Sequence, residues 1–354
     1  MRVLSEPVRS RAVALTERRA AILRLIISDY IETTQPVGSE NLVQRHRLEL
    51  SSATIRNEMA RLEEEGYITH PHTSAGRVPT DRGYRYYVEM LMGEPELPPE
   101  EKLRILHQFH QATSYVAQWL HLAAAVLSQM VRNAAVVTAP RVSRVRLKHL
   151  QLVALRDATA LLVVVTEDVK VRQQVLTFPE PVTQEELNRL TNRLNAQWTG
   201  MGVEALRAHL PELGPWEELV ALGVLDILED EETDLFADVQ IEGVRNVLEQ
   251  PEFAKSTKAL QVLEALDEHN LAQAIPVEAV RNRGVTVIIG GENRPDAMRE
   301  MSLVLTGYGT ERGARGMLAV LGPTRMQYSR AIATVRYMGS VMSELLQRLY
   351  GDTN

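Results

Sequence analysis

The residues best suited to chemistry lie in the stretch "LSSATIRNEMARLEEEGYI", residues 50–68. Ile55, Met59 and Leu62 recur at i, i+4 and i+7, which predicts a helix burying one apolar stripe. The opposite face carries Ala53 and Asn57, flanked by Thr54, Arg56 and Arg61. An asparagine amide can bond adenine N6 and N7 together, and an arginine can bond guanine O6 and N7 or a phosphate. A small residue such as Ala53 permits close approach to base edges at the start of a reading helix. Ser51 and Ser52 add hydroxyls at the positive helix end, where a phosphate oxygen is well placed. The same face on an ordinary helical domain meets only water, and spacing alone leaves both readings open.

Further along, "HPHTSAGR" from His70 to Arg77 has turn chemistry and ends on a cation suited to a minor groove or phosphate track. Arg77, Arg82 and Arg85 stand there against Asp81 alone, so Arg77 and Arg82 join the candidate DNA contacts. Other constellations are weaker. "GTERGARG" at 309–316 lacks the Lys-Ser/Thr ending of a phosphate loop and reads as a hairpin loop. His70 with His72, and His107 with His110, lack a clustered third ligand, so no metal is expected. No G-x-S-x-G elbow and no H-E-x-x-H helix occurs. With no cysteine either, nothing in the chain points to catalysis or to a cofactor. The acidic run "EDEETD" at 229–234 reads as a solvated loop.

The elements that must position the candidate face follow from periodicity. "LTERRAAILRLIISDYIETTQP" predicts a first helix closed by Pro36. "VGSENLVQRHRL" predicts a second, with Ser39 as N-cap and Leu42 and Val43 inward. Ser51 caps the third, and Gly66 stands where a C-terminal glycine belongs. "YIT" and "RVP" can form a two-stranded ribbon, and Thr80 can cap one more helix. Three helices followed by a ribbon is the order of a winged helix-turn-helix over residues 1–92. The proline-rich "GEPELPPEE" at 93–101 then reads as a linker.

Beyond it, 3-4 spacing predicts one helix over about 100–133. "HLQLVAL", "ALLVVVTE" and "VKVRQQVLTF" predict an antiparallel three-stranded meander. Helices follow at "PVTQEELNRLTNRLNAQW" and Leu213 to Leu228. Strands at "ADVQIEGV" and "GVTVIIGGE" bracket the helix "STKALQVLEAL", and a hairpin over "MSLVLTGYGTERGARGMLAVLGP" precedes a final amphipathic helix. The apolar stripes of the 100–133 helix and of the final helix serve an intrachain core or a dimer seam equally well. The chain of 354 residues, 45% apolar and 24% charged, suits a soluble protein of two or three domains. Neither a secretory signal nor an apolar run of 18 residues is present, and a cytoplasmic setting with no membrane is expected. The net charge of −7 argues against non-specific coating of nucleic acid, although a local basic patch remains compatible with it.

These residues resemble a known family. "SSATIRNEMARLEEEGYITHPHTSAGRVPTDRGYRYYVEML", "NVLEQPEF" at 246–253 and "GPTRMQYSRAIATVRYM" near the end closely resemble HrcA, the bacterial heat-inducible transcription repressor family. The likeness spans about residues 13–349, and "SAGRVPTDRGYRYYV" is its most specific part. It implies an α+β multidomain fold: an N-terminal winged helix-turn-helix, a GAF-like α/β domain over 102–144 and 236–349, and a dimerising α+β domain inserted at 145–235. It also implies a homodimer that binds an inverted-repeat operator in double-stranded DNA before chaperone genes, and dependence on a GroE-type chaperonin. A competing reading is a regulator whose GAF-like domain takes a small effector near Gly290, Gly291, Tyr308 and Arg325. An enzyme is the least supported class.

Overall fold

The computed structural model describes residues 15–71, 76–111, 116–142, 145–167, 169–233, 239–254, 256–276, 279, 284–310 and 314–350. The chain is mixed α+β and divides into two compact units, residues 1–140 with 236–354, and residues 141–235.

The first unit opens with α1 (Glu17–Thr33), α2 (Ser39–His46) and α3 (Ser52–Glu64). Their cores follow the predicted stripes: Ile22, Ile26, Leu42, Ile55, Met59 and Leu62 are all buried. Full burial of a side chain such as Leu62 stabilises by about 1.5–3 kcal/mol. Ser39 is not the cap of α2. Gly38 holds that place in extended backbone without a side-chain bond, and Ser39 is the first helical residue, itself buried. Asp29 of α1 is buried and accepts from His46 at 2.9 Å, with the Arg45 guanidinium 3.3 Å away, which ties α1 to the end of α2. Strands β1 (Ile68–Thr69) and β2 (Val78–Pro79) pair antiparallel as the ribbon. Thr80 caps α4 (Asp81–Tyr86) through the Gly83 N–H, and the chain continues as a π-helical turn to Leu91.

The single helix expected over 100–133 is described as two, α5 (Pro99–Gln111) and α6 (Val116–Val131), with 112–115 outside the described residues. After α6 comes β3 (Ala134–Thr138), and the two-residue β4 (Arg141–Val142) starts the second unit. There β5 (Leu147–Arg156), β6 (Thr159–Thr166) and β7 (Val171–Thr177) form the predicted antiparallel meander. Alternate residues of β6 are buried, and α7 (Gln184–Trp198) and α9 (Pro215–Thr233) contribute Leu187, Leu194, Val220 and Val224 to the same core. Between these helices stands α8 (Val203–His209), which the sequence pattern did not suggest.

The acidic run is not a loop. Helix α9 continues through it to Thr233, and Glu231 is buried in ion pairs with Lys170 and Arg172. A run of consecutive carboxylates looks solvated in one dimension, and only the fold supplies the cations that face Glu231. Residue 234 lies outside the described residues.

The first unit resumes with β8 (Val239–Glu242), α10 (Val244–Leu248), α11 (Ser256–Ala265) and α12 (Glu268–Ala274). Strands β9 (Thr286–Ile289), β10 (Met301–Gly309) and β11 (Ala314–Pro323) follow, then α13 (Tyr328–Tyr350). The sheet runs β8-β3-β11-β10-β9, antiparallel throughout. Every residue of β10 is buried, Ser302 and Thr306 included, as befits a strand paired on both sides by β9 and β11. Of the hairpin loop between β10 and β11, residues 311–313 lie outside the described residues.

Candidate nucleic-acid interface

Ser51 starts α3 as expected, its hydroxyl accepting from the Thr54 N–H at 3.1 Å and meeting the Thr54 hydroxyl at 2.9 Å. Gly66 ends the turn after α3 at φ +78°, a left-handed conformation that an L side chain rarely adopts. With Ile55, Met59 and Leu62 turned inward, the fold brings Ala53, Arg56, Asn57 and Arg61 to the exposed face of this one helix. Ser52 and Thr54 are half-buried beside them. Among the described residues, Arg56 and Arg61 form no ion pair and the Asn57 amide makes no hydrogen bond within the chain.

The neighbouring charges are spent internally. Arg19 lies 3.2 Å from Glu58 and also reaches Glu65, so α1 neutralises two carboxylates on the flank of α3. Glu64 stays exposed, at the far end from the N-terminal turns where base readers stand. Subtracting the paired charges leaves a cationic, amide-bearing face backed by the positive end of the helix dipole.

Arg77 sits elsewhere. Its side chain is only 18% exposed, and its guanidinium lies 3.1 Å from Glu63 of α3. Glu63 also bonds His70 across the ribbon. The Arg77 backbone exchanges hydrogen bonds of 2.8 and 2.9 Å with Val37, which leaves Gly76 no room for a Cβ: one would lie 2.6 Å from the Val37 carbonyl. Arg77 therefore holds the ribbon against α3 and the segment before α2. The loop tip, residues 72–75 with His72, lies outside the described residues. Arg82 is exposed, its guanidinium stacked 4.7 Å from the Tyr67 ring centroid, beside the end of α3. Sequence reasoning missed Glu63. Its only signal was a carboxylate on α3 followed by a turn flanked by two basic residues.

The residues of the small-effector reading are occupied within the protein. The Tyr308 hydroxyl is buried and donates to the Thr138 carbonyl at 2.6 Å, and Arg325 pairs with Glu252 and bonds the Gln250 side chain at 2.7 Å. Gly290 and Gly291 lie against Asp81. Tyr84 of α4 packs on Tyr328 with ring centroids 5.8 Å apart, and burial raises both phenols well above their ordinary range, so the contact is uncharged.

Residues 117–332 match the family model described as HrcA protein C terminal domain. The heat-inducible transcription repressor HrcA of Roseiflexus castenholzii is 46% identical over 348 residues, covering 95% of this chain and 96% of its own. That of Herpetosiphon aurantiacus is 42% identical over 345 residues, covering 96% and 97%. A crystal structure described as a hypothetical protein shares the fold, with a TM-score of 0.55 at 23% identity over 94% of this chain and 98% of that one. Among the described residues no helix is long and apolar enough to cross a membrane. With the family model covering more than half of the chain and such relatives matching nearly all of it, the chain belongs to the HrcA family of heat-inducible transcription repressors.

Proposed function

We propose that the chain is a sequence-specific repressor of heat-shock (chaperone) operons that binds an inverted-repeat operator as a homodimer. The family consists of transcription repressors and not enzymes. The observation that carries the DNA-binding step is the outward face of α3: Asn57 and Arg56 exposed in its first two turns, Arg61 beyond, all without intrachain partners among the described residues. Three helices and a ribbon in this order support a winged helix-turn-helix over 1–92, with α3 entering the major groove. The antiparallel β8-β3-β11-β10-β9 path with α6 and α13 supports the GAF-like assignment, and the unit at 141–235 supports an inserted domain.

Dimerisation is supported by that second unit. Its helices cover one face of the meander, while the other face exposes Val153, Val171 and Val175. Val153 and Val175 both stand opposite Leu161, and Val171 opposite Val165, so these side chains share one face across three strands, with Gln151 and Gln173 interspersed opposite Val163. A second copy covering it would present two copies of α3 to two half-sites, and the operator's symmetry would mirror the protein's. Dependence on a GroE-type chaperonin rests on the family resemblance alone.

Footprinting of the purified chain on DNA upstream of its host's chaperone operons tests this function. A protected inverted repeat at low protein concentration is the expected result. Protection that does not discriminate these regions from random DNA refutes it. Titration with chaperonin should raise the active fraction, whereas a metabolite that does so in its place would favour effector control.

A further inference from the structure

Helix α4 follows the ribbon directly and docks at β9, the edge strand of the β8-β3-β11-β10-β9 path. The Gly291 N–H donates to Asp81 Oδ2 at 2.8 Å. Arg85 Nε donates to Glu292 Oε1 at 2.8 Å, while a terminal guanidinium nitrogen bonds Glu292 Oε2 and the Val287 carbonyl, the latter at 2.8 Å. Glu292 Oε2 also accepts from the Ile289 N–H at 2.9 Å, so the end of β9 orients the carboxylate that receives the arginine fork. Gly290 adopts φ +49°, and a Cβ there would lie 2.4 Å from the Asp81 carboxylate oxygens. Below these polar contacts Tyr84 packs on Tyr328. One apolar cluster runs from Ile22 and Leu62 through Tyr84 and Val88 to Val304 and Met338.

None of these polar contacts is needed to form the elements that they join. Helix α4 already has its cap at Thr80, and β9 already pairs with β10. A forked Arg–carboxylate pair fixes angle as well as distance, because two parallel N–H···O bonds restrain the guanidinium plane. The bonded residues are more than 200 positions apart, so the pair sets the placement of one region on another.

We propose that Asp81 and Arg85, with Gly290, Gly291 and Glu292, form a latch that orients the α1–α4 region on the sheet. It thereby sets the angle and separation at which two copies present α3. These are positioning residues for operator binding, and the inference rests on the dimeric, inverted-repeat reading above. Affinity for one half-site depends on the face of α3, which the latch does not touch. The gain from engaging both half-sites depends on how well the second α3 is held in place, since that placement sets its effective concentration.

The test compares Glu292→Gln and Arg85→Lys with the wild-type chain on an intact inverted repeat and on a single half-site, by fluorescence anisotropy. Thermal midpoints and sedimentation are followed in parallel. Glu292→Gln keeps the acceptor for Ile289 but removes the charge, and Arg85→Lys keeps the charge but removes the fork. The wild-type preference for the repeat, which tethering of this kind places at about 10²–10⁴, should fall about tenfold in each variant. Half-site affinity should not change. The swap Arg85→Glu with Glu292→Arg should recover part of the preference, and Gly290→Ala should reproduce the loss by displacing Asp81. Parallel loss on both DNAs, or an unchanged preference in folded Glu292→Gln and Arg85→Lys, overturns the latch alone. A wild-type chain without any preference for the repeat overturns the operator reading and the latch with it.

Discussion

Asn57→Ala is the most direct perturbation of the proposed base readout. Asn57 is exposed in the second turn of α3, and among the described residues its amide makes no intrachain bond. Removing it breaks nothing in the free protein, and alanine is the better helix former by up to ~0.7 kcal/mol. Stability should hold or rise slightly, so any change in binding arises at the DNA. One good bidentate contact to adenine discriminates by about 1–3 kcal/mol. That is about a 5- to 150-fold rise in Kd at roughly 1.4 kcal/mol per decade. A dimer on its full operator loses the contact twice, so the penalty there is about 2–6 kcal/mol if the half-sites are independent. Anisotropy titrations on half-site, full operator and random DNA at one salt concentration separate these quantities. Random-sequence affinity should barely move, because phosphate contacts supply it. Equal losses on operator and random DNA would refute base reading by Asn57, as would a fall in thermal midpoint large enough to explain the binding loss.

The other predictions concern the ribbon, the open sheet face and the buried carboxylate. Arg77→Ala should weaken binding to every sequence without changing the log-affinity against log-salt slope, because its guanidinium is engaged with Glu63. Arg56→Ala should shrink that slope by about one unit, and an equal shrinkage for Arg77 would place Arg77 on a phosphate instead. Val175→Glu, at a side chain 58% exposed on the open face of the meander, should yield a folded monomer in sedimentation equilibrium, and a dimer would exclude that face. Burial pushes the Glu231 carboxyl up, but hydrogen bonds and charge from Lys170 and Arg172 outweigh it and hold the group below its ordinary value. Its contribution is therefore complete above the unfolded carboxylate range and lost as pH falls through the lowered folded value. Glu231→Gln should cost about 1–3 kcal/mol near neutrality, less than a fully buried pair because both cations are partly exposed, and should flatten the acid limb of the thermal midpoint. An acid limb unchanged in the variant would assign that pH dependence to other groups.

What the sequence by itself determined is local. Ser51, the stripe of Ile55, Met59 and Leu62, and Gly66 specify the start, the buried face and the end of α3, and thus which residues remain outside. The alternation of β6 likewise specified a strand with one face inward, because a pleat of period two leaves few other arrangements. These features depend on neighbours within one or two turns, and such neighbours can be read along the chain. Only the tertiary structure decided which charges are spent. Arg77 in its turn and Arg56 on its helix were both candidate DNA contacts, yet Glu63 holds the first and nothing in the described chain holds the second. The acidic run became a buried ion-pair site because Lys170 and Arg172, about 60 positions earlier, face it across the fold. Gly290 looked like part of an effector loop until the left-handed backbone and the Asp81 carboxylate above it accounted for its missing side chain. Pairing of this kind depends on distance in space, and periodicity contains no information about that distance. A close resemblance can name the family, but which arginine meets a carboxylate and which meets solvent is settled only when the elements pack.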